Sequence, residues 1–313
     1  MAEADSFPDR LAALVEERRS QIVLGLDPDP AVLWPGAVEA DATPYGEAVV
    51  SDAAALTAAA VERHCIAAID AAGGSCVAVK LQLACFERLG ADGWRALGAT
   101  VEAARERGLL VIADGKRGDV PVTARAYAQA LVGETRGPFG PVQGLGADAF
   151  TANPLLGRDA LEPLLEAADA AGAGCFCLVR TSNPGAAEIQ DEPAAEPLYE
   201  RLARMVRELG EERRGRSGLS NVGAVTGATR PDLLARLREL MPHAIFLLPG
   251  VGAQGGTVDA LAPAFAPHPA AGLVTASRSI VDAHRERGGD PAEAAAAAAE
   301  ELRATTWRLV ELA

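Results

Sequence analysis

Short runs of apolar and β-branched residues recur along the chain, each bounded by Gly, Pro or Asp and each followed by an alanine-rich stretch of helical character. Eight such runs stand out: Ile22–Asp27, Cys76–Leu81, Leu109–Asp114, Ala147–Asn153, Gly174–Arg180, Val222–Ala228, Ala244–Pro249 and Gly272–Ser277. Between them the pattern predicts helices near 47–72, 91–107, 121–132, 158–171, 195–210, 230–240 and 255–264. A further helix is expected over 291–312, where the Ala294–Ala299 tract is a good helix former, and an opening helix near 8–20. Strands that are apolar on both faces need cover on both, and their alternation with helices implies parallel pairing through crossovers. Eight such units favour a closed (β/α)8 TIM barrel over an open doubly wound sheet. No stretch has the character of a domain linker, so residues 1–313 are expected to form a single barrel domain with an N-terminal helix. Two long loops rich in Gly and Pro, 133–146 and 183–197, are candidates for lids or plain insertions.

Composition narrows the class further. The chain is 49% hydrophobic and 23% charged, which excludes a disordered polypeptide and allows one large core. A net charge of −14 repels nucleic acid and anionic lipid, so neither is expected as a partner, and an anionic substrate would need a local basic pocket. Met1 to Gln21 is charged and amphipathic, unlike a secretory signal, and no uninterrupted apolar segment reaches the roughly 20 residues of a membrane span. A soluble, cytoplasmic protein is therefore expected. Five cysteines (65, 76, 85, 175 and 177) form no Cys-x-x-Cys pair and are read as reduced core thiols. Four scattered histidines (64, 243, 268 and 284) lack the spacing of metal ligands.

The chemistry gathers at the carboxyl ends of the expected strands. Residues 111–119 run from an apolar strand into Asp114-x-Lys116-x-x-Asp119, and strand alternation puts Asp114 and Lys116 on one face. Barrels place their reactions at just these strand ends. Asp27 closes the first run, Lys80 the second, and Arg180-Thr181-Ser182 the fifth. The seventh continues into Pro249-Gly-Val-Gly-Ala-Gln-Gly-Gly256 and the eighth into Ser277-Arg278-Ser279. Glycines 250, 252, 255 and 256 let backbone N–H groups approach a phosphate, Gln254 adds a donor, and Arg278 a forked, permanent charge. Two alternatives for the charged cluster stay open: a structural ion-pair network of Lys80, Asp114, Lys116 and Asp119, or Mg²⁺ held by Asp114 and Asp119. Two ammonium groups in the same small space argue against the metal.

The same residues carry a family resemblance. Asp114-Gly-Lys-Arg-Gly-Asp119 followed by Thr123 is similar to the Asp-x-Lys-x-x-Asp signature of the orotidine 5′-phosphate decarboxylases. Leu24-Gly-Leu-Asp27, Val79-Lys80, Ser182-Asn-Pro-Gly185, Pro249 to Gly256 and Ser277-Arg278-Ser-Ile280 follow in that family's order, from about Ile22 to Ile280. Thr226-Gly-Ala-Thr229 and Thr151-Ala-Asn-Pro154 resemble its longer bacterial and archaeal subgroup. The resemblance implies conversion of orotidine 5′-monophosphate to uridine 5′-monophosphate and CO₂, the last step of de novo pyrimidine synthesis, with no cofactor and no metal. It implies that Lys116 stabilises and then protonates a C6 carbanion, with Asp114 and Asp119 holding it charged. It also implies that Asp27 and Lys80 bond the ribose hydroxyls, Ser182 reads the pyrimidine amide edge, and Gln254, Gly255, Gly256 and Arg278 clamp the phosphate. Asp119 and Thr123 would reach across a homodimer interface into the neighbouring subunit's site.

Two rival functions are weighed on the same residues. Mg²⁺-dependent sugar-phosphate decarboxylases and hexulose-phosphate synthases resemble the chain at Asp-x-Lys-x-x-Asp, but carry an acidic metal ligand where this chain has Lys80. A non-catalytic phosphate-binding barrel would bind nucleotide without turnover, yet has no need of a lysine between two carboxylates.

Overall fold

The computed structural model describes residues 6–39, 53–228, 230–251 and 258–311. Eight parallel strands close into a barrel: β1 (Ile22–Leu26), β2 (Ala78–Gln82), β3 (Leu110–Arg117), β6 (Ala149–Ala152), β7 (Gly174–Arg180), β8 (Ser220–Thr226), β9 (Ala244–Pro249) and β10 (Gly272–Ala276), which pairs back onto β1. The remaining pair, β4 (Glu134–Gly137) and β5 (Gly140–Gln143), is an antiparallel hairpin outside the barrel. Helices cross over between strands, the (β/α)8 arrangement that the alternation of apolar runs and helical stretches predicts.

Two apolar cores explain why the strands carry hydrophobic residues on both faces. Ile22, Leu24, Val79, Leu81, Val111 and Ala113 point outward into a layer shared with the helices. Val23, Ala78, Ile112, Phe176, Ile245 and Leu273 point inward and fill the barrel. The opening helix Phe7–Arg18 plugs the floor of that interior with Phe7, Leu11 and Val15, and Phe7 meets Phe176 edge-on at 5.9 Å. Higher up, the inward positions turn polar: Lys80, Asp114 and Thr275 follow Ala78, Ile112 and Leu273 on their own strands. Strand periodicity thus places an apolar floor beneath a polar mouth.

Several boundaries differ from the sequence expectation. β3 runs three residues past Asp114 and takes in Lys116 and Arg117. The expected loop 133–146 contains the hairpin, which lies between the helix Pro121–Leu131 and the start of β6. That is the end of the barrel opposite the strand carboxyl ends, so this segment is no lid for a site at the mouth. The helix expected near 255–264 is a 3₁₀ stretch, Val258–Phe265, interrupted by Pro263. Residues 47–52 and 255–257 of the expected helices lie outside the described residues; the long helix is described over Ala53–Ala72. All five cysteines are free thiols, four of them buried. No described helix is long and apolar enough to cross a membrane.

His64, on the helix Ala53–Ala72, fixes the segment that leaves β1. Its Nδ1 accepts the backbone N–H of Trp34 at 3.2 Å, and its ring meets the Trp34 ring edge-on. Burial pushes its pKa down to about 4, with His284 and Arg285 adding to the effect and Asp282 opposing it. The unfolded chain therefore takes up a proton that the folded chain refuses, so this contribution is full above the ordinary value of 6.5 and is lost as pH falls towards 4. Acidification from pH 7 to pH 5 should cost about 2 kcal/mol through this one group. Urea unfolding of His64→Gln, whose side-chain carbonyl can accept the same bond, should show a correspondingly flatter pH dependence; equal slopes in both proteins would refute the assignment.

Candidate active site

Around the mouth, the carboxylate of Asp114 is the hub. Its Oδ2 accepts from Lys80 Nζ at 2.8 Å and from Gln82 Nε2 at 3.3 Å. Its Oδ1 accepts from Lys116 Nζ at 2.7 Å and from Thr151 Oγ1 at 2.8 Å. Four donors saturate a group that can accept about four bonds. Lys80, 6% exposed, also reaches Asp27 Oδ1 at 3.4 Å. Burial works against charge on Lys80, but Asp114 and then Asp27 outweigh it and hold the ammonium above its ordinary pKa. Burial likewise opposes ionisation of Asp114, and Lys80 and Lys116 reverse the balance, holding its carboxyl well below the usual range.

The two lysines have different exposures. Lys80 is enclosed, whereas the Lys116 side chain is 43% exposed and its ammonium borders a cavity of about 350 Å³. That cavity is lined on one side by Asp27, Lys80, Asp114 and Lys116, on the other by Ser182, Pro249, Gly250 and Arg278, with Val225, Leu247 and Thr275 as its floor. Close backbone approaches bring these walls together. A Cβ on Gly25 would stand 1.9 Å from Ser277 Oγ, and one on Gly227 would stand 2.8 Å from Ser182 Cα. Gly227 is needed where the Ser182 backbone passes so close, whereas at Gly25 the nearest atom is a serine hydroxyl that can turn aside. The arrangement brings Lys80, Lys116 and Arg278 around one cavity with Val225 and Leu247 beneath them. Among the described residues, no three His, Cys, Asp or Glu side chains gather to hold a metal ion.

Comparison with known proteins bears on this arrangement. The family model described as orotidine 5′-phosphate decarboxylase / HUMPS matches residues 20–298. The orotidine 5′-phosphate decarboxylase of Rhodopirellula baltica is 41% identical over 281 residues, 90% of this chain and 89% of that one. The one from Haloarcula marismortui is 42% identical over 277 residues, 88% and 86% of the two chains. The structure of Leishmania donovani OMP decarboxylase superposes with a TM-score of 0.71 at 30% identity, covering 98% of this chain and all of that one.

The chain belongs to the orotidine 5′-phosphate decarboxylase / HUMPS family.

Of the site residues expected from sequence, Asp27, Lys80, Asp114, Lys116, Ser182 and Arg278 line one cavity in this member of the decarboxylase family. Asp119 and Thr123 are not among its described lining residues: Asp119 Oδ1 accepts the N–H of Val120 at 2.8 Å, and Thr123 lies on the helix Pro121–Leu131. Gln254, Gly255 and Gly256 lie outside the described residues, as does Thr229. The strand alternation argued for Asp114 and Lys116 is interrupted, because Lys116 has a left-handed φ of 49°; its ammonium nevertheless reaches Asp114. Thr181, placed at the mouth beside Ser182 by the sequence, lines the cavity, as does Asn183 of the Ser182-Asn-Pro-Gly185 motif. Sequence reasoning missed Gln82, which could have been found as the next same-face position after Lys80. Arg180, grouped with the mouth residues, instead clamps the 183–197 loop: its Nε and Nη2 donate to Asp191 at 2.7 and 3.1 Å.

Proposed function

We propose that the chain decarboxylates orotidine 5′-monophosphate to uridine 5′-monophosphate without a cofactor. The observation that carries this reading is the Lys116 ammonium, bonded to Asp114 and bordering the cavity while Lys80 neutralises the same carboxylate from behind. Breaking the bond between C6 and the carboxylate carbon releases CO₂ and leaves an electron pair in the ring plane at C6, where the π-system cannot spread it. A fixed cation beside that carbon, over a water-poor apolar floor, lowers the barrier electrostatically. Lys116 then donates a proton to C6, which yields the product. Asp27 and Lys80 meet the ribose hydroxyls, Ser182 the pyrimidine edge and Arg278 the phosphate, with Gln254, Gly255 and Gly256 as the remaining phosphate donors.

Asp119 and Thr123 complete the site of a second copy in a homodimer. Support comes from the surface on which they sit: Val120, Val122, Leu155 and Leu156 are all exposed, Val122 to 84%. The two segments adjoin, since a Cβ on Gly118 would stand 2.7 Å from the carbonyl oxygen of Asn153. Apolar side chains clustered beside an acid that does not line its own cavity suit burial against a partner.

The test is the fall in orotidine 5′-monophosphate absorbance on adding enzyme in metal-free buffer containing EDTA. Full activity is expected. Activity that disappears with EDTA and returns with Mg²⁺ would overturn the cofactor-free reading, and an unchanged spectrum under all conditions would overturn the activity itself.

A further inference from the structure

β3 and β6 run in register up to Ala113 opposite Phe150, and resume with Arg117 opposite Ala152. Three residues of β3, Asp114, Gly115 and Lys116, therefore face a single residue of β6, Thr151. Such an irregularity leaves backbone groups without ladder partners and bends the strand, and here the bend carries Lys116 to its left-handed φ of 49°. Residues other than Gly, Asn and Asp rarely adopt that conformation, so something must hold it.

We propose that Thr151 is a positioning residue for the decarboxylation, its one hydroxyl setting where the Lys116 ammonium stands. Thr151 is 1% exposed. Its Oγ1 accepts the backbone N–H of Lys116 at 2.8 Å and donates to Asp114 Oδ1 at 2.8 Å. The same Oδ1 accepts Lys116 Nζ at 2.7 Å. A closed ring of three hydrogen bonds thus ties both ends of the lysine to one carboxylate oxygen through one hydroxyl. The hydroxyl takes the place of a ladder acceptor at Lys116 N and gives Asp114 Oδ1 a second donor beside the ammonium, which restrains rotation of the carboxylate. With both roles in one atom, the backbone turn and the carboxylate orientation are set together. Gln82 steadies the opposite oxygen from β2, but it touches only the carboxylate.

This inference rests on the functional reading above, and the experiment separates the two. Thr151→Val keeps the shape and removes the hydroxyl; Thr151→Ser keeps the hydroxyl. For Thr151→Val, kcat should fall about 30-fold, because sub-ångström misplacement of a reacting group is costly, while KM and the affinity for uridine 5′-monophosphate stay within about threefold. Thr151→Ser should recover kcat to within about threefold of the wild type. A merely structural threonine would not give that split between kcat and binding. Should Thr151→Val unfold at the assay temperature, Thr151→Cys, which fills the site with a weak donor, is expected to give the same split. Equal kcat in Thr151→Val and wild type, equal impairment of Ser and Val, or unfolding of both Val and Cys variants would each overturn the proposal. A wild-type protein that leaves orotidine 5′-monophosphate intact would overturn both readings, whereas normal wild-type turnover beside an unimpaired Thr151→Val overturns this one alone.

Discussion

Lys116→Ala should lower kcat by about 10⁴-fold or more while leaving uridine 5′-monophosphate binding within about tenfold of the wild type. Two losses combine in that figure. Removing a fixed charge from the developing carbanion costs on the order of 10²–10³, and removing the proton donor on the order of 10²–10⁴. Together they span about 10⁴–10⁷, roughly 5–10 kcal/mol of barrier at about 1.4 kcal/mol per decade, and the prediction takes the lower end. Product binding survives because the product has no carboxylate at C6, and Asp27, Lys80 and Arg278 remain around the cavity. The fold should survive as well: the Lys116 side chain is 43% exposed, so its ion pair contributes little, and Asp114 keeps Lys80, Gln82 and Thr151. Steady-state turnover with parallel calorimetric titration of uridine 5′-monophosphate checks both halves. Turnover within tenfold of wild type would remove Lys116 from the chemistry, and loss of binding along with turnover would make its role structural.

The second large effect is a gain of activity on mixing two defective proteins. Asp119→Asn and Lys116→Ala should each be inactive to within about 1% of wild type, given the fixed charges they remove. In a mixed dimer with shared sites, one site collects both substitutions and the other collects neither. Random pairing makes about half of the dimers mixed, so co-expressed or co-refolded chains should regain about a quarter of wild-type activity. If Asp119 acted within its own chain, no mixture would exceed the mean of the two variants. The physical basis is that Asp119 does not join the described lining of its own cavity, while the apolar surface around it, Val120, Val122, Leu155 and Leu156, is unburied in the single chain. Recovery to near one quarter supports sharing, and flat activity across all mixing ratios refutes it.

The residues of the site differ in how far the linear chain reveals them. Asp27, Lys80 and Asp114 end or nearly end apolar runs, and a parallel barrel collects such positions by its geometry, so their convergence could be read from the pattern of strands. The role of Arg180 could not: it ends β7 like the others, but its guanidinium turns to Asp191, eleven residues on in a loop whose path is not periodic. Arg238 is a similar case. It lies in the expected helix 230–240, yet it is buried, donates to the carbonyls of Met241, Ala244, Ala264 and Ala271, and lies 3.7 Å over the Phe246 ring. Burial pushes its pKa down to about 9. Carbonyls that come from three separate segments leave no mark in local composition.

By itself the sequence determined the barrel and the charged residues gathered at the carboxyl ends of its strands. Strand and helix periodicities are local, and parallel strands buried on both faces close in few ways. Only the tertiary structure decided how those charges share their partners. The break in register between β3 and β6, the left-handed turn at Lys116 and the Thr151 hydroxyl that spans them arise from how two strands fit side by side. Hydrogen-bond geometry between strands depends on three-dimensional register, and register belongs to the pair, not to either strand alone.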